Sequence, residues 1–188
     1  MSNDTPTRIL RDQHQNILKI ADILEEVLAH EPEPGAFDYD SIADCVSFIR
    51  LYADALHHGK EEDLLFPELE SLGMSRDMGP IAVMLYEHQQ GRAYARQMAD
   101  SLAPARDGDE QALEVLQSGA RGYIDLIRGH ILKEDRILFE MADQAVRGSA
   151  CERLCGGYGA VCARRFEGHS KDELQALAGR ITERAGLV

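Results

Sequence analysis

Tryptophan is absent from this 188-residue chain, aromatic residues make up only 6%, and there are 4 cysteines. Cys45, Cys151, Cys155 and Cys162 are too few and too unevenly placed for a disulfide framework, so a reducing compartment is expected to keep them as thiols. Basic residues are also scarce. Against 33 Asp and Glu stand 20 Lys and Arg, a formal charge of -13. Such a field repels a phosphate backbone, and no basic stripe with interleaved aromatics interrupts it, which excludes nucleic acid as a partner. No apolar run approaches the length of a membrane span, and "MSNDTPTRIL" has no basic region leading into an apolar core. A cytoplasmic protein with no membrane partner is expected. What remains, 44% hydrophobic and 28% charged residues, is the composition of a globular chain long enough for one domain and an extension.

Four stretches carry apolar residues at spacings of three and four, the pattern of helices that bury one face. The first, about 6 to 29, opens with Thr5 as N-cap and Pro6 in the first turn, and aligns Leu10, Ile17, Ala21, Leu24 and Leu28. The second begins near Ser41, with Asp44 completing a weak capping box, aligns Ile42, Val46, Ile49, Ala53, Leu56 and Leu64, and is expected to stop at Pro67. The third starts at Gly79 and Pro80 and aligns Ile81, Leu85, Ala95, Met98 and Leu102. The fourth, about 109 to 145, aligns Leu113, Leu116, Ala120, Tyr123, Ile127, Ile137 and Met141. Short connections predict an all-α, up-down-up-down antiparallel four-helix bundle over residues 1–146. Residues 147–188 form a C-terminal extension with a Gly/Cys-rich segment and a short helix, for which Ser170 and Glu173 form a capping box and Leu174, Leu177 and Ile181 a stripe.

Polar residues interrupt the apolar stripes in a repeating way. "HHGKEEDLLF" at 57–66 returns as "HILKEDRILF" at 130–139, so that His57 and Glu61 recur 73 residues later as His130 and Glu134. His14 in "DQHQ" recurs 74 residues later as His88 in "YEHQ". The chain therefore reads as a helical hairpin repeated twice, each copy carrying one His on its first helix and one HxxxE on its second. Antiparallel packing brings all six residues to one depth. At about 100° per residue, His57 and Glu61 lie toward the apolar face, while His58 and Glu62 point away; the same reasoning selects Glu134 over Asp135.

Six polar groups at core positions need a reason, because burying two uncompensated carboxylates costs several kcal/mol each. A cation pair supplies one. Imidazoles and carboxylates suit iron or manganese and accept zinc, whereas a thiolate set would point to zinc or an iron–sulfur cluster. His14, His57, Glu61, His88, His130 and Glu134 are the candidate metal ligands, two imidazoles per ion with both carboxylates between them.

These motifs, in this order and spacing over about residues 8 to 143, resemble the hemerythrin-like proteins with HHE cation-binding domains. The resemblance implies a four-helix bundle around two non-haem iron ions with a bridging oxo or hydroxo group. By position it puts His14 and His57 on one iron, His88 and His130 on the other, and Glu61 and Glu134 between them. Two departures stand out. Oxygen-carrying members have a fifth histidine four residues beyond the third-helix ligand, where this chain has Arg92, and they use an aspartate at the place of Asp135. His58 is then either an additional ligand or a hydrogen-bonding neighbour. Ferritin-like di-iron proteins use Glu-x-x-His pairs, and none of the 7 histidines here has Glu three residues before it.

The implied small ligands are dioxygen, NO or peroxide. The reading leaves three classes open: a binding or sensing domain, an enzyme reducing peroxide or NO, and a metal-handling protein. Cys151, Cys155, Cys162 and His169 do not match common zinc spacings and read as part of a helical extension. His30 reads as a solvated helix end.

Overall fold

The computed structural model describes residues 5–29, 37–161 and 169–184, and within them every regular element is helical. His30 and Cys162 lie outside the described residues. Helix α1 (Arg8–Ala29) is followed by a continuous helical rod over 39–71, then by α4 (Gly79–Arg106) and a second continuous rod over 110–145. The first rod comprises α2 (Tyr39–Phe48), the wider-wound π1 (Ile49–His58) and π2 (Glu61–Leu65), and α3 (Phe66–Ser71). The second comprises α5 (Glu110–Lys133), π3 (Glu134–Leu138) and α6 (Phe139–Ala145).

Local chemistry explains the ends. The α2 cap is Asp38, not Ser41: its carboxylate accepts from the Ser41 backbone N–H at 3.0 Å and from the Ser41 hydroxyl at 2.6 Å. Asp109 caps α5 through the Ala112 N–H. Pro67 does not stop the second helix. It falls in the first turn of α3, directly after a π turn, where proline is tolerated because its missing N–H is not needed there. The rod ends instead at Gly73, whose φ of 98° only glycine adopts freely.

The core is split into two apolar compartments. One contains Ile17, Leu24, Val46, Leu56, Met98, Leu116 and Ile131; the other contains Leu10, Leu65, Phe66, Met84, Leu138 and Phe139. His14, His57, His58, Glu61, His88 and Glu134 occupy chain positions between the two, and His130 stands one residue before Ile131 at the edge of the first. Ile137 and Met141, expected on the buried stripe, are 51% and 41% exposed, while Leu138, Phe139 and Ala142 are buried instead. The π3 turn inserts an extra residue per turn and rotates everything after Glu134 relative to an ideal α-helix.

The extension consists of α7 (Ser149–Val161) and α8 (Lys171–Arg184). The expected box at Ser170 forms: Ser170 N–H donates to the Glu173 carboxylate and Glu173 N–H to the Ser170 hydroxyl. Leu174, Leu177 and Ile181 are buried, with α8 against α1 and α2. Helix α7 lies against π2, burying Leu154 and Tyr158 in the second compartment.

Candidate metal centre

His14, His57, Glu61, His88, His130 and Glu134 are all buried, none more than 2% exposed. They come from α1, π1, π2, α4, α5 and π3, and a seventh residue, His58, joins them at 4% exposure. Two sets form, each with donor atoms within 4.8 Å of one another: His14, His57, Glu61 and Glu134, and beside it His58, His88 and His130. The expected outward direction of His58 is therefore corrected. Its cause is π1: with i→i+5 bonding and about 4.4 residues per turn, neighbouring side chains diverge less than in an α-helix, so adjacent histidines both reach the interior.

Glu61 sits between the sets, one oxygen 3.5 Å from His57 Nε2 and the other 3.5 Å from His88 Nε2. Glu134 reaches both sets with a single oxygen, Oε2, which lies 3.2 Å from His14 Nε2 and 3.3 Å from His130 Nε2. Both carboxylates thus stand where they can bridge two cations.

The five imidazoles share one orientation. Each Nδ1 faces outward onto an oxygen: His14 onto Asp135 at 2.9 Å, His57 onto Gln13 at 3.4 Å, His58 onto Asp54 at 3.3 Å, His88 onto Glu62 at 2.7 Å and His130 onto Glu87 at 3.0 Å. Those acceptors fix the hydrogen on Nδ1 and leave the Nε2 lone pair directed at the cluster. Oxygen partners behind metal-binding imidazoles serve this purpose, holding the ring and raising its basicity. Asp135 and Glu62 are thereby placed behind histidines rather than among the inward donors.

The supports are themselves supported. Arg92 Nε donates to Asp54 at 2.8 Å and Arg92 Nη2 to Glu62 at 2.8 Å. Buried Lys60 donates to Gln13 Oε1 at 3.0 Å, and Lys133 pairs with Glu87. Arg11 donates to the Asp135 carbonyl at 2.8 Å. Phe139 stacks on His14 with centroids 5.2 Å apart, and His58 stacks on His88 at 3.8 Å.

Inside this frame the inward atoms are unsatisfied. Nε2 of His58, His88 and His130 and all four carboxylate oxygens of Glu61 and Glu134 are buried without a hydrogen-bond partner among the described residues. The Nε2 atoms of His14 and His57 face each other at 3.0 Å, so the pair is satisfied only when one of the two rings carries a hydrogen on Nε2. Electrostatics agree. Burial, then the neighbouring imidazoles, holds His57 and His88 well below the ordinary imidazole range, which keeps them neutral. Burial lowers His58 too, despite Asp54. Burial disfavours protonated His14 as well, but the hydrogen bond to Asp135 and the adjacent Glu134 carboxylate outweigh it and raise its pKa. Burial and then the Glu134 charge push Glu61 well above the carboxylate range; Glu134, opposed by burial, is held down by His130 and His14. Two carboxylates this close cannot both ionise without a cation, and divalent ions shared between them are what the donor set accommodates. With nitrogen and carboxylate oxygen donors and no thiolate, the site suits iron or manganese.

The profile of the hemerythrin HHE cation binding domain matches residues 5–142 of this sequence. The chain belongs to the hemerythrin HHE cation-binding family. Among curated relatives, the iron-sulfur cluster repair protein YtfE of Musicola paradisiaca is 35% identical over 98 residues, 50% of this chain and 42% of that protein. The uncharacterized protein Rv1995 of Mycobacterium tuberculosis is 26% identical over 99 residues, 53% of this chain and 38% of that one. The chain thus aligns with about two fifths of the length of these relatives. No solved structure matches.

Within this hemerythrin-like chain, sequence reading named six of the seven residues that the structure brings together and missed the inward turn of His58, together with Asp54, Gln13 and Glu87. One signal was available: Asp54 and His58 stand four apart, the spacing at which a carboxylate meets an imidazole on one helix face. Outside the centre, Cys45 is buried, which pushes its thiol up to about 12, and Cys151 and Cys155 place their sulfurs 3.9 Å apart on α7. No helix among the described residues is long and apolar enough to cross a membrane.

Proposed function

We propose that this chain is a non-haem di-iron protein that binds or senses small oxygen species, dioxygen, NO or peroxide, at a centre held by five histidines and two glutamates. His14 and His57 hold one iron; His58, His88 and His130 hold the other; Glu61 and Glu134 bridge them. Residues 1–146 form the metal-holding domain as an up-down-up-down bundle, and 147–188 a packed extension, in a cytoplasmic protein. The observation that carries this reading is the common orientation of five imidazoles, each with Nδ1 engaged outward and Nε2 aimed at two unpartnered buried carboxylates.

When bound, two irons supply redox-active positions for exogenous oxygen or nitrogen ligands. The chain's own part is to keep His57, His58 and His88 neutral, hold each ring by its Nδ1 hydrogen bond, and exclude water with Phe66 and Phe139 packed on His88 and His14. His14 and His57 would offer one iron two imidazoles, whereas His58, His88 and His130 would offer the other three.

Metal analysis tests this directly. Wild-type protein is expected to hold about two irons per chain, and Glu61→Ala or His57→Ala to lose them, since structural partners of a metal centre contribute steeply to affinity. Two irons retained in both variants would falsify the assignment. A second reading, metal handling in iron–sulfur cluster repair, is favoured by the similarity to the YtfE protein. Anaerobic reduction followed by oxygen separates the two: a stable, reversible near-ultraviolet band supports binding or sensing, while transfer of iron to an apo iron–sulfur protein supports handling. Rapid consumption of added peroxide would instead indicate an enzyme.

A further inference from the structure

The fifth imidazole of the centre comes from π1, and behind it lies a cation whose position is not explained by bundle packing. Arg92 is on α4, one turn after His88, and is half-buried. Its guanidinium does not reach any inward donor. Nε meets Asp54 Oδ1 at 2.8 Å, Nη2 meets the same Asp54 oxygen at 2.7 Å, and Nη2 also meets Glu62 Oε1 at 2.8 Å. These two carboxylates come from the first rod, and each receives the Nδ1 hydrogen of a histidine: Asp54 that of His58, on its own rod, and Glu62 that of His88, on the opposite helix. The same Glu62 oxygen accepts from both His88 and Arg92, and the same Asp54 oxygen from both His58 and Arg92.

We propose that Arg92 is a positioning residue for one ion of the pair: by clamping Asp54 to Glu62 it fixes the stacked His58 and His88 rings, and so decides whether the second set holds its metal. This inference rests on the metal reading above. Three physical consequences follow from the clamp. Without it, Asp54 and Glu62 are two carboxylates brought together at a half-buried site with no cation between them, and repulsion drives them outward, taking their histidine contacts with them. The histidines of the first set do not lose their supports, because His14 rests on Asp135 and His57 on Gln13. The damage is therefore one-sided. Finally, the guanidinium withdraws electron density from carboxylates that would otherwise make His58 and His88 stronger donors, so it tunes the reduction potential of that iron upward.

Arg92 also lines a solvent-open cleft of about 440 Å³, along with Asp54 and His58. A small planar cation can therefore enter from solution and occupy the place its side chain leaves. That property separates a positioning role from a merely structural one.

The test measures iron per chain, by elemental analysis, in wild type, Arg92→Ala and Arg92→Lys, and repeats Arg92→Ala in the presence of methylguanidinium. Expected results are about two irons in wild type, about one in Arg92→Ala, and a partial return toward two in Arg92→Lys, with the second site weakened roughly 10- to 100-fold in the alanine variant. Methylguanidinium, but not the same concentration of sodium chloride, is expected to restore the second iron. In any Arg92→Lys protein that keeps both irons, the more weakly held iron is expected to titrate at a different potential from wild type. Two irons at wild-type affinity in Arg92→Ala, or equal loss of both in a protein whose helical content and melting are unchanged, overturns the inference while leaving the centre itself standing. Wild type without metal overturns the metal reading and this inference with it.

Discussion

Glu61 illustrates how a single side chain can be costly for folding and necessary for a site. It is fully buried with both oxygens unpartnered, and burial pushes its pKa well up. Glu61→Gln removes the charge without changing shape, so the metal-free variant is expected to melt no lower than metal-free wild type, while metal binding is lost; calorimetry of both metal-free proteins checks the first half and metal analysis the second. His58 gives the complementary case. As an inward donor it makes His58→Ala lose about one of two ions, whereas an outward, solvated His58 would leave the metal content untouched. Phe139 is completely buried, stacks on His14 and receives the Arg11 guanidinium at 5.5 Å from its centroid. Its replacement by alanine is expected to cost about 3–5 kcal/mol in denaturant unfolding, by cavity formation, and to loosen the first metal set as well.

At the scale of elements, the three π segments carry four of the seven inward residues, His57, His58, Glu61 and Glu134. Wider turns change the cumulative phase of a rod, and that phase decides which of its residues reach the centre. The same widening decides which apolar residues follow: Leu138 and Phe139 inward, Ile137 and Met141 outward. Helices α4 and α5 are the most closely associated pair, and Gly122 is part of the reason. A Cβ there would lie 2.5 Å from Tyr94 Cε1 and 2.6 Å from Cζ. Gly122→Ala must push the Tyr94 ring aside, at an expected cost of about 1–3 kcal/mol in thermal or denaturant unfolding, with metal content retained.

For the whole molecule, the polar layer divides the core into two compartments, and a cation pair is what would hold the layer together. Ion binding to the folded chain alone adds about 2.7 kcal/mol at a free concentration one hundred times the dissociation constant, so chelation is expected to lower the melting temperature by several degrees, reversibly. The extension is more than an appendage. Leu154 and Tyr158 of α7 complete the second compartment beside Leu65 and Phe66, and Leu174, Leu177 and Ile181 of α8 cover the first. A chain ending at residue 146 exposes those faces, and light scattering is expected to show association that the full chain lacks.

Apolar periodicity, the capping box at Ser170, and the repeat of His14 and HxxxE were enough to place four helical rods and six of the seven inward residues, because spacing along a helix dictates which side chains share a face. The resemblance to the HHE family rested on those same motifs. What spacing could not supply was the winding of each turn, since π segments form where packing rewards them and no residue pattern demanded them here. His58, Phe139 and the exposure of Ile137 and Met141 all depended on that winding. Nor could it supply most of the partners behind the imidazoles: Gln13, Glu62, Glu87 and Asp135 meet their histidines because separate rods lie side by side, and only the folded chain brings such distant donors and acceptors within 3.4 Å.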